Sequence, residues 1–287
     1  MKLWEAVIYA LFGGFTELLP ISFAGHAAIL RGAFNLTSLA ESDGYYIHAA
    51  ISVGIVLAVA LAFRGETRAM KTEWLAMTGL RRLPRGERAD YALRRSILLG
   101  LVALLPMLAS LIFLSSAEEI GHLVLVAAFF LVNGGLIFLC CRGAVGQKDE
   151  KYALISDGFF IGLLCALSIF PGMSSFGASI CIGRVRGFSL RYNLRFGYLL
   201  TLCYHLVLFF YRLIRAFCFG NFYWTTILSC LLAIVCTTVA GYLAIQYFRY
   251  LLERYKLNVF AYYCWGAAAI LLLSLIHISE PTRQAEI

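Results

Sequence analysis

Long apolar runs dominate this chain and leave it one solvent. Residues 46–63, 96–114, 121–141, 194–213, 225–248 and 259–273 are each rich in Leu, Ile, Val, Ala and Phe, with few charges. A helix needs about 20 predominantly apolar residues to cross a bilayer core. Only helices and closed barrels satisfy their backbone there. The runs lack the strict alternation of a barrel strand, so they read as six transmembrane helices of an all-α polytopic membrane protein. Composition agrees: 61% of the 287 residues are hydrophobic and 14% charged, against roughly 25% charged in soluble domains.

The charges that remain give the chain a direction. Residues 64–95 carry nine Lys and Arg, residues 142–151 carry Arg142, Lys148 and Lys151, and residues 249–257 carry Arg249, Arg254 and Lys256. The positive-inside rule puts all three segments on the cytoplasmic side. The net charge of +8 is therefore orientation charge and does not mark a nucleic-acid surface. Trp74 and its apolar neighbours are expected along the membrane surface. Glu118 and Glu119 fit an outer link. Arg212 and Arg215 fall at a predicted outer end, where snorkelling or lipid headgroups would accommodate them. The nine cysteines show no CxxC spacing and read as small buried hydrophobes. Residues 1–273 form a single integral membrane domain in this reading. Residues 274–287 are set aside as a non-native tail, because LSLIHISEPTR resembles a translated sequencing-adapter read.

Two stretches break the apolar pattern. The first, GGFTELLPISFAGHAAIL (residues 13–30), gathers Glu17, Ser22, Gly25 and His26 around Pro20. Proline lacks a donor and restricts the residue before it. Ionisable groups at membrane depth are costly and usually face a pathway or cavity. Residues 3–12 and 24–34 are each too short to span, so together they predict a re-entrant helix–loop–helix, followed by a polar linker with Glu41 and Asp43. The second, PGMSSFGASICIGRVRGFS (residues 171–189), has the same layout after the apolar run 153–170. Ser22-x-x-Gly25 follows Pro20, and Ser174-x-x-Gly177 follows Pro171. One hairpin abuts an acidic linker and the other a basic one, which predicts an inverted-topology repeat with its site where the two repeats meet.

Half-helix N-termini expose free N–H groups and suit anions. Two of them meeting at mid-depth would cradle a phosphate or diphosphate, with Ser22, Ser174 and Ser175 as hydrogen-bonding or nucleophilic hydroxyls and His26 as base or proton relay. Helix capping by the serines and helix packing by His26 are the competing structural roles. Glu17 would repel phosphate unless a divalent cation, Mg²⁺ or Ca²⁺, lay between them. His48 reads as a helix-end histidine, with a cavity-lining role left open.

GFTELLPISFAGH resembles the first signature of the bacterial undecaprenyl-diphosphate phosphatases, the bacitracin-resistance family. PGMSSFGASICIGRVRGFS resembles the second, and ISVGIVLAVALAFR (residues 51–64) their first full span. The resemblance implies six spans, two inverted re-entrant hairpins, and metal-dependent removal of the terminal phosphate of a polyprenyl diphosphate at the outer side of the bacterial plasma membrane. It implies Glu17 as the metal- or diphosphate-handling carboxylate, with Ser22, Gly25 and His26 beside it. Ser174, Gly172 and Gly177 match the second signature. Three positions depart from the pattern. Gly13 stands where an acidic or amide residue is common, Phe23 replaces a serine, and Ser175 replaces an arginine. Arg184 and Arg186 are the nearest replacements for that lost charge, on the cytoplasmic side. The departures leave two readings, a phosphatase and a non-hydrolytic relative that binds or translocates the lipid phosphate. The partners implied are the lipid and the membrane, and a homo-oligomer is left open.

Overall fold

The computed structural model describes residues 3–34, 36, 44–80, 89–114, 116, 122–143, 146–254 and 256–284, the side chains of residues 33 and 276–284 excepted. Glu41, Asp43, Glu118 and Glu119 lie outside this set, as do residues 285–287 of the tail. The described residues form eleven α-helices: α1 (Leu3–Glu17), α2 (Phe23–Phe34), α3 (Gly44–Ala62), α4 (Arg64–Met77), α5 (Tyr91–Ser110), α6 (Leu123–Arg142), α7 (Ile155–Ala166), α8 (Ser175–Val185), α9 (Leu190–Phe219), α10 (Trp224–Glu253) and α11 (Asn258–Gln284). Six of them, α3, α5, α6, α9, α10 and α11, are long and apolar enough to cross a membrane. They are the six runs expected from hydropathy. Their large side chains point outward as well as inward: Leu105, Ile112, Leu139 and Ile270 are exposed. That is how helices solvated by lipid on one face are built.

The two broken pairs, α1–α2 and α7–α8, fall short of a span individually and are compatible with re-entrant hairpins. α1 runs five residues beyond its expected end, through Gly13 to Glu17, so the carboxylate sits on the last helical residue and not in the loop. Each hairpin leans on the opposite half of the chain. α1 packs on α10, α7 packs on α5, α3 packs on α9 and α6 packs on α11. Small residues set the spacing of these contacts, because in lipid the gain comes from close backbone approach and not from burying apolar area. On α7, Gly158 lies against the Leu99 carbonyl and Gly162 against the Ala103 carbonyl of α5. On α1, Gly14 lies against the Thr237 carbonyl of α10, whose hydroxyl donates back to the Ala10 carbonyl at 3.0 Å.

On the side carrying the basic segments, cations find partners. Arg94 pairs with Glu73 at 2.7 Å and holds α5 to α4, on which Trp74 is exposed. Asp157, fully buried at the start of α7, takes Arg186 at 2.5 Å and Lys148 at 3.4 Å. Arg195 pairs with Glu150 at 2.6 Å. Arg184 donates to the Gly143 carbonyl at 2.7 Å. All nine cysteines are free thiols.

A Cβ added at Gly162 would sit 2.0 Å from the Ala103 oxygen, whereas one at Gly135 would meet nothing. Gly162→Ala should therefore cost about 1–3 kcal/mol, the size of core overpacking. It should lower the melting temperature of the detergent-solubilised protein, and Gly135→Ala should leave it unchanged or raised. Equal melting temperatures for the two variants would remove the close α5–α7 approach from the account.

Candidate functional site

A chain turn packed among apolar helices must satisfy its own backbone. The carbonyls of residues 18–20 lie in the turn after α1, and an unpaired polar group in hydrocarbon costs several kcal/mol. Here each finds a side chain from a distant element. Tyr198 of α9 donates to the Leu18 carbonyl at 3.1 Å. The Ser174 hydroxyl donates to the Leu19 carbonyl at 3.3 Å, and Asn133 Nδ2 of α6 donates to the Pro20 carbonyl at 3.0 Å.

The start of the following half-helix is treated the same way. Ser22 stands at φ = 64°, the only non-glycine residue at positive φ among those described. Its Oγ accepts from the Gly25 N–H at 3.2 Å and from the Gly172 N–H of the other hairpin at 3.1 Å. Ser174 mirrors it, capping α8 by accepting from the Gly177 N–H at 3.1 Å. Asn133 Oδ1 accepts from the Ser174 N–H at 3.1 Å. Since a carbonyl only accepts and an N–H only donates, the orientation of that amide is fixed by its two partners. The two breaks thus touch. Pro20 lies against Gly177, and Gly25 lies against Gly172, whose φ of 113° is a conformation that other residues rarely adopt.

Beside this junction is a cavity of about 470 Å³. Glu17, Ser22, Pro171, Met173 and Ser175 line its deep end, and Phe23 stands in its wall. The Glu17 carboxylate accepts from Ser175 Oγ at 3.3 Å and from His205 Nε2 of α9 at 3.2 Å, both on the same oxygen. The rest of the lining includes Arg31, Tyr45, His48, Tyr204, Arg212 and Arg215. Tyr45 begins α3 while the basic residues from Arg64 follow its end, so this rim lies at the helix ends opposite the basic segments.

Placement revises several expectations. Glu17, Ser22 and Ser175 come together in the cavity. Ser174, Gly172, Gly177 and Gly25 form the junction beside it, bonded to backbone. His26 does not join Glu17. Its Nδ1 is 2.7 Å from the Ser22 carbonyl and must donate to it, and its Nε2 is 2.6 Å from the Tyr263 hydroxyl. The ring packs against Phe130 and Tyr263, away from the cavity lining. In this arrangement its two ring nitrogens are engaged by the Ser22 carbonyl and the Tyr263 hydroxyl, while Ser22 Oγ accepts from two N–H groups. Arg184 and Arg186 are spent on the basic side and line no part of the cavity. Arg212, expected to reach for headgroups, instead folds inward. Its Nη1 donates to Ser52 Oγ at 2.9 Å and to the His48 carbonyl at 3.2 Å. His205 was missed, although an imidazole in the middle of an apolar run is itself a signal.

Among the described residues no group of three or more His, Cys, Asp and Glu is arranged to hold a metal ion. A metal caged by protein alone does not fit. One carboxylate beside a phosphate-sized cavity does fit a divalent cation that shares its oxygen ligands with a substrate phosphate, the usual mode for Mg²⁺.

The family model for bacitracin resistance protein BacA matches residues 6–270. The chain is 28% identical over 285 residues to an undecaprenyl-diphosphatase of Methanobrevibacter smithii, covering 97% of this chain and 100% of that one. It is 29% identical to an undecaprenyl-diphosphatase of Rubrobacter xylanophilus and 26% identical to one of Desulforapulum autotrophicum, each over 96% of this chain and 99% of the relative.

Asn133 bridges both breaks, so Asn133→Leu leaves the Pro20 carbonyl and the Ser174 N–H unpaired, at about 1–3 kcal/mol each. Asn133→Asp keeps an acceptor for the Ser174 N–H but sets a second oxygen against the Pro20 carbonyl unless it is protonated. Both variants should melt below the native chain. A leucine variant as stable as the native chain would contradict the bridging role.

Proposed function

The chain belongs to the bacitracin resistance protein BacA family, and from that premise we propose that it hydrolyses a polyprenyl diphosphate, undecaprenyl diphosphate in particular, to the monophosphate and inorganic phosphate. The activity is the one that its relatives' names carry. The observation that supports it best is Glu17, a carboxylate held by Ser175 and His205 at the deep end of a cavity whose other charged lining residues are arginines. A lone acid among cations suits phosphoryl chemistry, in which catalysis is mostly positioning and charge stabilisation.

In this reading Glu17 is the catalytic carboxylate. It orients the attacking water on the terminal phosphorus; the new P–O bond forms as the bond to the bridging oxygen breaks, and the lipid leaves as its monophosphate. His205 and Ser175 hold the carboxylate in place. Ser22, Ser174, Gly25, Gly172 and Gly177 shape the junction that supports it, and His26 ties α2 to α11 through Tyr263. A divalent cation, Mg²⁺ or Ca²⁺, would bind through Glu17 together with the substrate's oxygens and neutralise phosphate charge. The cavity rim lies opposite the basic segments, so the headgroup would be met at the outer face of the plasma membrane, with the prenyl tail in the bilayer.

Phosphate release by the purified protein from a prenyl diphosphate tests this. Release should require Mg²⁺ or Ca²⁺, stop on chelation, and fall at least about 10²-fold in Glu17→Gln, the size of losing one charged catalytic partner. Full activity in chelator would remove the cation. Saturable lipid binding without release would favour a carrier of the lipid phosphate over a hydrolase. His26→Ala should lose thermal stability along with activity, since its ring ties two helices together and stands outside the cavity.

A further inference from the structure

The cavity's charge does not balance. Among the described residues its lining holds Arg31, Arg212 and Arg215 against the single carboxylate of Glu17, while on the opposite side of the protein Arg94, Lys148, Arg186 and Arg195 all have acidic partners. A half-buried guanidinium is stabilised by an anion brought into the same cavity.

Arg212 is the best prepared of the three. Its Nη1 is fixed by the His48 carbonyl and Ser52 Oγ, and its Nε is buried with no hydrogen-bond partner among the described residues. A guanidinium held by one nitrogen presents its remaining N–H groups as a rigid fork, the shape that takes two oxygens of one phosphate. Arg215 is steadied at the rim, with Nη2 3.3 Å from the Tyr45 hydroxyl and its guanidinium 5.0 Å from the centre of that ring. Arg31 sits in the last turn of α2, where a cation also offsets the helix dipole. The second hairpin contributes no cation to the lining, and the hydroxyl of its Ser175 is turned to Glu17.

We propose that Arg212, flanked by Arg31 and Arg215, forms the subsite that grips a phosphate of the diphosphate headgroup, so that in this chain the headgroup is fixed from α9 and the end of α2 and not from the second hairpin. The assignment rests on the phosphatase reading above and adds a specificity device to it. A two-phosphate headgroup can reach both the arginines and the Glu17 end of the cavity. A monophosphate can satisfy only one of them, which favours release of the lipid product.

The test is binding to the full-length purified protein, by calorimetry, of inorganic pyrophosphate, inorganic phosphate and a short prenyl diphosphate, alongside hydrolysis kinetics. Arg212→Gln should weaken pyrophosphate and prenyl diphosphate about ten-fold or more and raise KM more than it lowers kcat. Arg212→Lys should recover only part of the affinity, because it restores charge without the fork. Arg31→Gln, which removes no hydrogen bond to a described residue, guards against a misfolded Arg212 variant and should weaken binding in the same direction. Glu17→Gln should fail to turn over and, with divalent cations chelated, should bind both diphosphates at least as tightly as the native chain. Retained turnover in that variant would sink the phosphatase mechanism and leave the anion subsite standing. Native affinity for prenyl diphosphate in both Arg212→Gln and Arg31→Gln would overturn the subsite. Loss of pyrophosphate binding alone, with prenyl diphosphate unaffected, would overturn the headgroup assignment in favour of a free-anion site.

Discussion

Everything at the centre of this protein follows from unpaired backbone at two helix breaks. Carbonyls of Leu18, Leu19 and Pro20, and N–H groups of Gly25, Gly172, Ser174 and Gly177, would be intolerable in lipid if left alone. The chain answers with a few short polar side chains, each given to backbone: Ser22 and Ser174 cap their own half-helices and also reach across to the other break. Asn133 holds one donor and one acceptor from the two breaks at once. This explains why two serines that sit in signature stretches are structural before they are chemical. It also explains why a strained Ser22 is kept: a left-handed residue costs about 1–2 kcal/mol, and the same conformation brings its hydroxyl to two N–H groups.

With the breaks closed on themselves, the chemistry is displaced to one side. Glu17 ends α1 and projects into the cavity, and the groups that hold it come from α8 and α9. The departures at Phe23 and Ser175 look damaging in the linear sequence, since a hydroxyl and a charge are gone. In three dimensions Ser175 still bonds the carboxylate, and cationic charge arrives from α9 and α2. The electrostatic character of the cavity is therefore carried by a different part of the chain than the hairpin signatures suggest.

Architecture was largely legible because membrane physics writes it in plain signs. Hydropathy marked the six spans, proline and glycine marked the two breaks, and the Ser-x-x-Gly pairs marked their kinship. Individual contacts were less so. His26 lies nine residues from Glu17, but the chain turns between them at Pro20 and the ring departs toward α11. Asn133 is a lone amide in a run of apolar residues, and nothing in its neighbours says that it meets Pro20. Arg212 was visible as a cation at a helix end. What linear order could not give was its inward turn, which depends on the His48 carbonyl and on Ser52, in a helix some 160 residues away.

The reciprocal bonding of the breaks has a consequence for how the protein is made. The first hairpin emerges from the ribosome early, yet the groups that satisfy its backbone come much later: Asn133 is 113 residues beyond Pro20, Ser174 is 155 beyond Leu19, and Tyr198 is 180 beyond Leu18. Until those arrive, the Leu18 and Pro20 carbonyls lack these side-chain partners, which an apolar surrounding makes costly. The packed form of the first hairpin thus depends on residues from α6 onward. A truncation after α4 would leave α1 and α2 without any of these three partners, however apolar they are.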